Sequence, residues 1–195
     1  MGSESLVQSA PEAVAAAEGF GFPVVAKLCG DAIAHKTERG LVRLNLGDAQ
    51  AVTEATETLL ANARPEDGAR GVLIAPMVSG SRELIAGTLV DPTFGKCVML
   101  GIGGIFAEAL ADVTFRLVPL SPQDAADMID DLEHQSWFGE FRGEPAVDRD
   151  QLIAIIQGLS RIADESDEIV SIDINPLIIS EGSPVAVDAL VEVKS

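Results

Sequence analysis

The sequence predicts an α+β fold in which mixed and antiparallel sheets are flanked by helices. Three observations carry that reading. Strand-like and helical segments are interspersed without the strict alternation of a doubly wound parallel sheet. Residues 71–101 hold three short apolar runs separated only by Gly, Pro or Asp punctuation. The C-terminus adds two more apolar runs around the turn Glu181-Gly182-Ser183-Pro184.

Each element has its own local cause. Residues 10–19 are rich in Ala and Glu and predict a helix, with Gly19 in the C-terminal capping role. Gly21-Phe22-Pro23 leads into a strand over residues 24–28, and residues 30–39 read as a polar loop. Residues 41–46 alternate with period two, which predicts a half-buried strand. Asp48 can N-cap a helix running to about Ala63, ended by Pro65 and the turn Glu66-Asp67-Gly68. Strands are expected over 71–77, 82–90 and 97–101, then a short helix over 106–110 and a strand over 114–120. Ser121 as cap, Pro122 at the first helical position and Asp124 in the first turn start a helix with Ala125, Met128, Ile129 and Leu132 on one face. A loop over 139–145 carries Arg142. Asp148 and Gln151 then resemble a capping box, ahead of an amphipathic helix with Leu152, Ile155, Ile156, Leu159 and Ile162 at helical spacing.

At 195 residues, with 47% hydrophobic and 23% charged content, the chain reads as one domain of two lobes over residues 6–193. Residues 1–5 read as a disordered or expression-derived tail. The charge balance is unusual: 31 acidic against 13 basic residues, net −18. That field disfavours nucleic acid and anionic membranes as partners. No apolar run reaches the length of a membrane span. Cys29 and Cys97 lack metal-ligand spacing and are too few for a disulfide framework, which favours a reducing cytoplasm.

Four places carry residues suited to chemistry. Asn175 is followed thirteen residues later by Asp188, and a hairpin between them sets the two side by side. Paired oxygens of this kind suit Mg²⁺, which takes few protein ligands and keeps its waters and phosphates; a solvated turn explains such residues equally. Lys27, on an apolar strand, is either an edge lysine snorkelling to water or a phosphate ligand. His35 lies close in sequence to Lys27, Lys36 and Arg39, a cationic cluster able to hold a phosphate beside an imidazole. His134 reads as a surface residue. Finally, Gly101-Ile102-Gly103-Gly104 follows a strand, and glycines there let backbone N–H groups approach phosphate oxygens. Arg116, further on, can reach a phosphoryl group or form a salt bridge with Asp112.

Taken in order, Gly21-Phe22-Pro23-Val24-Val25-Ala26-Lys27, Ala34-His35-Lys36-Thr37-Glu38-Arg39-Gly40, Arg82-Glu83-Leu84-Ile85-Ala86-Gly87, Gly101-Ile102-Gly103-Gly104-Ile105-Phe106-Ala107-Glu108 and Asp173-Ile174-Asn175-Pro176-Leu177 resemble the ATP-grasp domain of NDP-forming acyl-CoA synthetases. These are relatives of succinyl-CoA synthetase and ADP-forming acetyl-CoA synthetase. The resemblance implies a reaction in which acid, CoA and ATP interconvert with acyl-CoA, ADP and phosphate through a phosphohistidine. It implies His35 as that histidine, steadied by Asp173; Arg116, read above as able to reach a phosphoryl group, joins them in the expected catalytic set. It implies ATP or ADP held by Lys27, Lys36, Glu83, Met77, Gly103 and Gly104, and Mg²⁺ held by Asn175 and Asp188. Partners follow: CoA-binding and ligase domains, or an alpha-like subunit. The sequence departs from the family pattern where Leu41 follows Gly40 in place of a second Gly, and where Ala75-Pro76 precedes Met77 in place of Gln-Glu. The family's usual helix and strand ahead of Leu6 are not found. The alternative reading is a nucleotide-sensing regulatory domain of a multidomain acetyltransferase.

Overall fold

The computed structural model describes residues 4–33, 36, 39–104 and 110–194. Chain contacts divide it after Met77 into two compact units, each with its own core.

The first unit runs β1 (Ser5–Val7), α1 (Ala10–Phe20), β2 (Val24–Gly30), β3 (Val42–Leu46), α2 (Ala49–Ala61), a 3₁₀ turn at Pro65–Asp67, and β4 (Ala69–Pro76). Its sheet has the order β1-β4-β2-β3. Alternation along β2 sends Val24, Ala26 and Leu28 into a core with Ala13, Ala17, Val52 and Leu59 from the helices. Asp48 caps α2 as expected, its carboxylate accepting the Ala51 N–H at 2.8 Å. The end of α1 differs from expectation. The helix passes through Gly19, and Gly21, with φ of 85°, supplies the positive φ at the cap, donating to the Ala17 carbonyl. Ser5 already pairs with Ile74 in β1, so this strand begins inside the stretch read as a tail.

The second unit holds β5 (Arg82–Asp91), β6 (Gly95–Ile102), β7 (Val113–Leu117), α3 (Pro122–Asp130), α4 (Arg149–Glu165), β8 (Ile169–Ser180), β9 (Ser183–Ala186) and β10 (Ala189–Val193). Strand order is β10-β8-β5-β6-β7, with β9 on β8. Every strand pairing among the described residues is antiparallel, so the sheets are antiparallel rather than mixed. One sheet face is covered: Leu84, Ala86, Val98 and Leu100 pack with Met128 and Ile129 of α3 and Leu152 and Ile156 of α4. The caps at Ser121 and Asp148 form as the sequence predicts. Ile162, expected on the buried stripe of α4, is 45% exposed. The stripe ends instead on Ser160 and Ala163, and the Ser160 hydroxyl accepts the Leu120 N–H at 2.9 Å. Among the described residues no helix is long and apolar enough to cross a membrane.

Candidate functional site

In the second unit the site is built on β8. Gly87 of β5 lies opposite Asp173, and Ile172 and Asp173 approach so closely that a Cβ on Gly87 would sit 2.3 Å from the Ile172 carbonyl oxygen. The register between β5 and β8 then shifts between Leu84 and Ala86, where β8 carries Asn175-Pro176 as an irregularity. Such a bulge re-aims side chains. Asp173 and Asn175 are both exposed, while Ile172 between β5 and β10 is buried. The Asn175 N–H donates to the Asp188 carbonyl at 3.3 Å, and the Val187 N–H donates to the Pro176 carbonyl at 3.3 Å. The hairpin therefore brings Asn175 and Asp188 together as the spacing predicts.

Glu83 and Ile85 share the sheet face of Gly87 by strand alternation, and so the face of Asp173. The Glu83 carbonyl accepts the Gly103 N–H at 2.8 Å. Its carboxylate lies against Gly104, where an added Cβ would be 3.4 Å from Oε2. Thus Glu83, Gly103 and Gly104 form one local constellation. Residues 105–109, including Glu108, lie outside the described residues.

In the first unit Lys27 is half-buried on β2, on the face opposite Ala26 and Leu28, and in register with Leu73 and Val42. Met77 donates its N–H to the Pro23 carbonyl at 3.1 Å. The Lys36 carbonyl accepts the Leu41 N–H at 2.8 Å. His35 lies outside the described residues. Arg39 leaves the expected cationic cluster, because its guanidinium is taken by Asp67 at 2.7 and 3.0 Å. That pair and the Arg64 N–H hold the buried Asp67 carboxyl below the usual carboxylate range, and Arg39 is raised in turn.

Arg116 is not brought to this site. Thr114 donates to the Met128 carbonyl of α3 at 3.0 Å, so Thr114 and Arg116 share the helix-covered face of the sheet. Arg116 there pairs with Asp131 at the end of α3. Strand alternation puts it on the opposite face from Asp173, which removes it from the catalytic set. Asp112 does not pair with it either. Buried Asp112 accepts the N–H groups of Glu133 and His134, both at 2.9 Å, and meets His134 Nδ1 at 2.7 Å. Burial alone would raise the Asp112 pKa, but these donors outweigh it and the carboxyl falls below its ordinary value. His134, read as a bare surface residue, is thus a ring with Nδ1 facing a carboxylate.

The model of the ATP-grasp domain family matches residues 2–193. The chain belongs to the ATP-grasp family. It is 40% identical over 181 residues to the beta subunit of ADP-forming acetate–CoA ligase I from Pyrococcus furiosus, covering 91% of this chain and 78% of that subunit. It is 39% identical over 180 residues to ADP-forming 4-hydroxybutyrate–CoA ligase from Nitrosopumilus maritimus, covering 91% of this chain but 26% of that protein. Among solved structures, acetyl-coenzyme A synthetase 1 of Ca. Korarchaeum cryptofilum, in complex with coenzyme A, Ca-AMPCP and HgCl+, superposes with a TM-score of 0.91 at 34% identity. That match covers 100% of this chain and 86% of the other. A second structure of that synthetase, with coenzyme A and Mg-AMPPCP, has its phosphohistidine segment pointing towards the nucleotide binding site; it matches with a TM-score of 0.82 at 34% identity, over 100% of this chain and 85% of the other.

For an ATP-grasp domain, the oxygens of Asn175 on β8 and Asp188 between β9 and β10 fit a magnesium ion. Asn175 and Asp188 are hard oxygen donors joined by a backbone hydrogen bond, and Asp173 stands two residues from Asn175 on an open strand. Among the described residues no group of three or more His, Cys, Asp or Glu side chains is gathered as a protein-only metal cage. A two-oxygen site matches an ion that completes its shell from water and phosphate.

A residue the sequence did not single out supports this ATP-grasp lobe. Arg82, next to Glu83, is fully buried. Its guanidinium donates to the carbonyls of Trp137 at 3.0 Å, Gly139 at 2.8 Å and Pro145, and to Glu144 Oε2 at 3.3 Å. The signal available was its place at a strand start beside an acid. Its partners lie 55 to 63 residues later and have no local signature.

Proposed function

We propose that this chain is the nucleotide-binding and phosphoryl-transfer part of an ADP-forming acyl-CoA ligase, which interconverts acid, CoA and ATP with acyl-CoA, ADP and phosphate. The observation that carries the reading is the junction of Asn175 and Asp188 at the β8 bulge, beside Asp173 and on a sheet that also presents Glu83 with the Gly103-Gly104 turn. ADP-forming ligases named among the relatives, and nucleotide-bound synthetase structures, support it. No observation favours the regulatory alternative.

In this reading Asn175 and Asp188 hold Mg²⁺, which when bound screens phosphate charge. Lys27 supplies a point charge to the nucleotide phosphates, and Lys36 a second. The Gly104 N–H orients a phosphate oxygen while the Gly103 N–H holds the turn to the Glu83 carbonyl, and Glu83 and Met77 are each assigned to nucleotide binding. His35 serves as the nucleophile, and Asp173 is the acid assigned to steady the phosphohistidine. Positioning and charge neutralisation then account for most of the catalysis, as in phosphoryl transfer generally.

CoA-binding and ligase domains, or an alpha-like subunit, are the proposed partners. Cys29 and Cys97 are both unbridged, which suits the reducing cytoplasm. The test is incubation with γ-labelled ATP and Mg²⁺, beside His35→Ala and Asp188→Ala. Acid-labile label on the wild type, absent from His35→Ala and sharply reduced in Asp188→Ala, is the expected result. Equal labelling of wild type and His35→Ala would remove the phosphohistidine from His35.

A further inference from the structure

The connection between α3 and α4 carries a turn that the reaction above does not use. Phe141 and Glu144 form an antiparallel bridge, the Phe141 N–H donating to the Glu144 carbonyl at 3.1 Å and the Glu144 N–H returning to Phe141 at 2.9 Å. The two residues between them have positive φ, 49° at Arg142 and 86° at Gly143. Consecutive left-handed residues mark a type I′ turn. Gly143 suits it. Arg142 does not, because its Cβ crowds the neighbouring carbonyl, whereas Gly or Asn would sit there at little cost.

The turn is braced from within. Arg82 ties down the carbonyls of Trp137, Gly139 and Pro145, and it shares Glu144 with the Ser81 N–H, which donates to Oε1 at 2.9 Å. Phe141 lies 5.8 Å from Trp137, and the Arg142 guanidinium carbon lies 5.1 Å from the centre of the Phe141 ring. An aromatic ring offers no acceptor oxygen, so this contact fixes the guanidinium and leaves its N–H fork unspent. Arg142 is exposed and makes no ion pair among the described residues. The chain has 31 acidic side chains against 13 basic ones, so a lack of carboxylates does not explain this.

We propose that Arg142 is an anion-recognition residue that takes a phosphate group of a small molecule, on a turn positioned by Arg82 and Glu144. A planar fork matches phosphate oxygens two at a time. The choice of phosphate rests on the ligase reading, since nucleotide, CoA and free phosphate are the anions that reaction handles.

The experiment is equilibrium binding of CoA, ADP and inorganic phosphate to the whole chain at low ionic strength, for wild type, Arg142→Gln, Arg142→Lys and Arg142→Gly. At least one probe should weaken by about tenfold in the Gln and Gly variants and by less in Lys. The probe that weakens identifies whether the phosphate is free or esterified. Arg142→Gly should unfold at the same or a higher temperature, because Gly accepts the turn without crowding. Unchanged binding of all three probes overturns the proposal, as does no binding by the wild type. A midpoint several degrees lower in Arg142→Gly also overturns it, making the arginine a brace. Loss of association with a partner domain, with probe binding intact, overturns it in favour of a protein carboxylate. The ligase reading fails separately, in the His35 labelling test. Wild type that binds a probe through Arg142 yet takes no label would leave this inference standing.

Discussion

At Asp112 a single carboxylate, with its side chain 3% exposed, stays charged because two amides and an imidazole point at it. Nδ1 must carry the proton there, since an ionised carboxylate only accepts. The sign of its pH effect follows. An ordinary Asp has a pKa near ~3.9, and Asp112 lies below that in the folded chain. Its stabilisation is therefore full above about pH 4 and fades as pH falls through the lower folded value. Asp112→Asn turns an NH₂ group toward donors and should cost about 2 kcal/mol at neutral pH. The variant should also lose less stability than wild type on going from pH 5 to pH 3, as about one buried carboxylate fewer titrates. Denaturant titrations at both pH values check this; an identical gap between the proteins at each would mean the charge contributes nothing. None of this pairing was legible from the sequence, which offered Arg116 as the partner four residues away. Strand alternation turns Arg116 to the α3 side, and the turn after α3 returns the backbone of residues 133 and 134 to Asp112.

The helices show the opposite balance between local and distant causes. Asp48, Ser121 and Asp148 each cap the helix they precede, because a cap bonds to an amide three residues on and needs nothing from elsewhere. The C-terminus of α4 is secured differently. Lys96 of β6 reaches it, with Nζ donating to the carbonyls of Ala163 at 2.7 Å and Ser166 at 3.2 Å and to the Asp167 carboxylate at 2.9 Å. A cation over the last carbonyls satisfies orphan acceptors and opposes the helix dipole. Lys96→Met keeps the aliphatic stem and removes the charge, and should cost about 1 kcal/mol. Hydrogen exchange gives the sharper readout: amides in the last turn of α4 should exchange faster while those of its first turn hold. Uniform protection in both proteins would sink the idea. The edge strands β1 and β10 escaped sequence reading for a related reason. β1 has three residues and β10 is exposed throughout, so neither shows buried alternation, and only pairing with β4 and β8 defines them. The junction of Asn175 and Asp188 was legible because a hairpin is itself local: the two backbones close on each other across one turn.

For the whole chain, the question is which electrostatic effect salt acts on more. The net charge of −18 favours expansion through self-repulsion, and salt screens repulsion between exposed charges. Salt also screens attraction. The exposed pair Arg70–Asp31 at 2.7 Å adds little stability of its own, and Arg116–Asp131, Arg149–Asp130 and Lys96–Asp167 are likewise partly open to solvent. The buried sides of Arg82–Glu144 and Arg39–Asp67 shield those pairs from added ions. Salt weakens those exposed attractions, while 31 acids against 13 bases leave most carboxylates without a cation. Repulsion should win. Raising NaCl from about 10 mM to about 500 mM shortens the screening length from roughly 30 Å to under about 8 Å, and the unfolding midpoint should climb by a few degrees. Choline chloride should reproduce the rise, since screening does not depend on which monovalent cation supplies it. A flat or falling midpoint in both salts would show that the paired charges outweigh the excess. A rise with sodium alone would point to bound cations in place of a screened field.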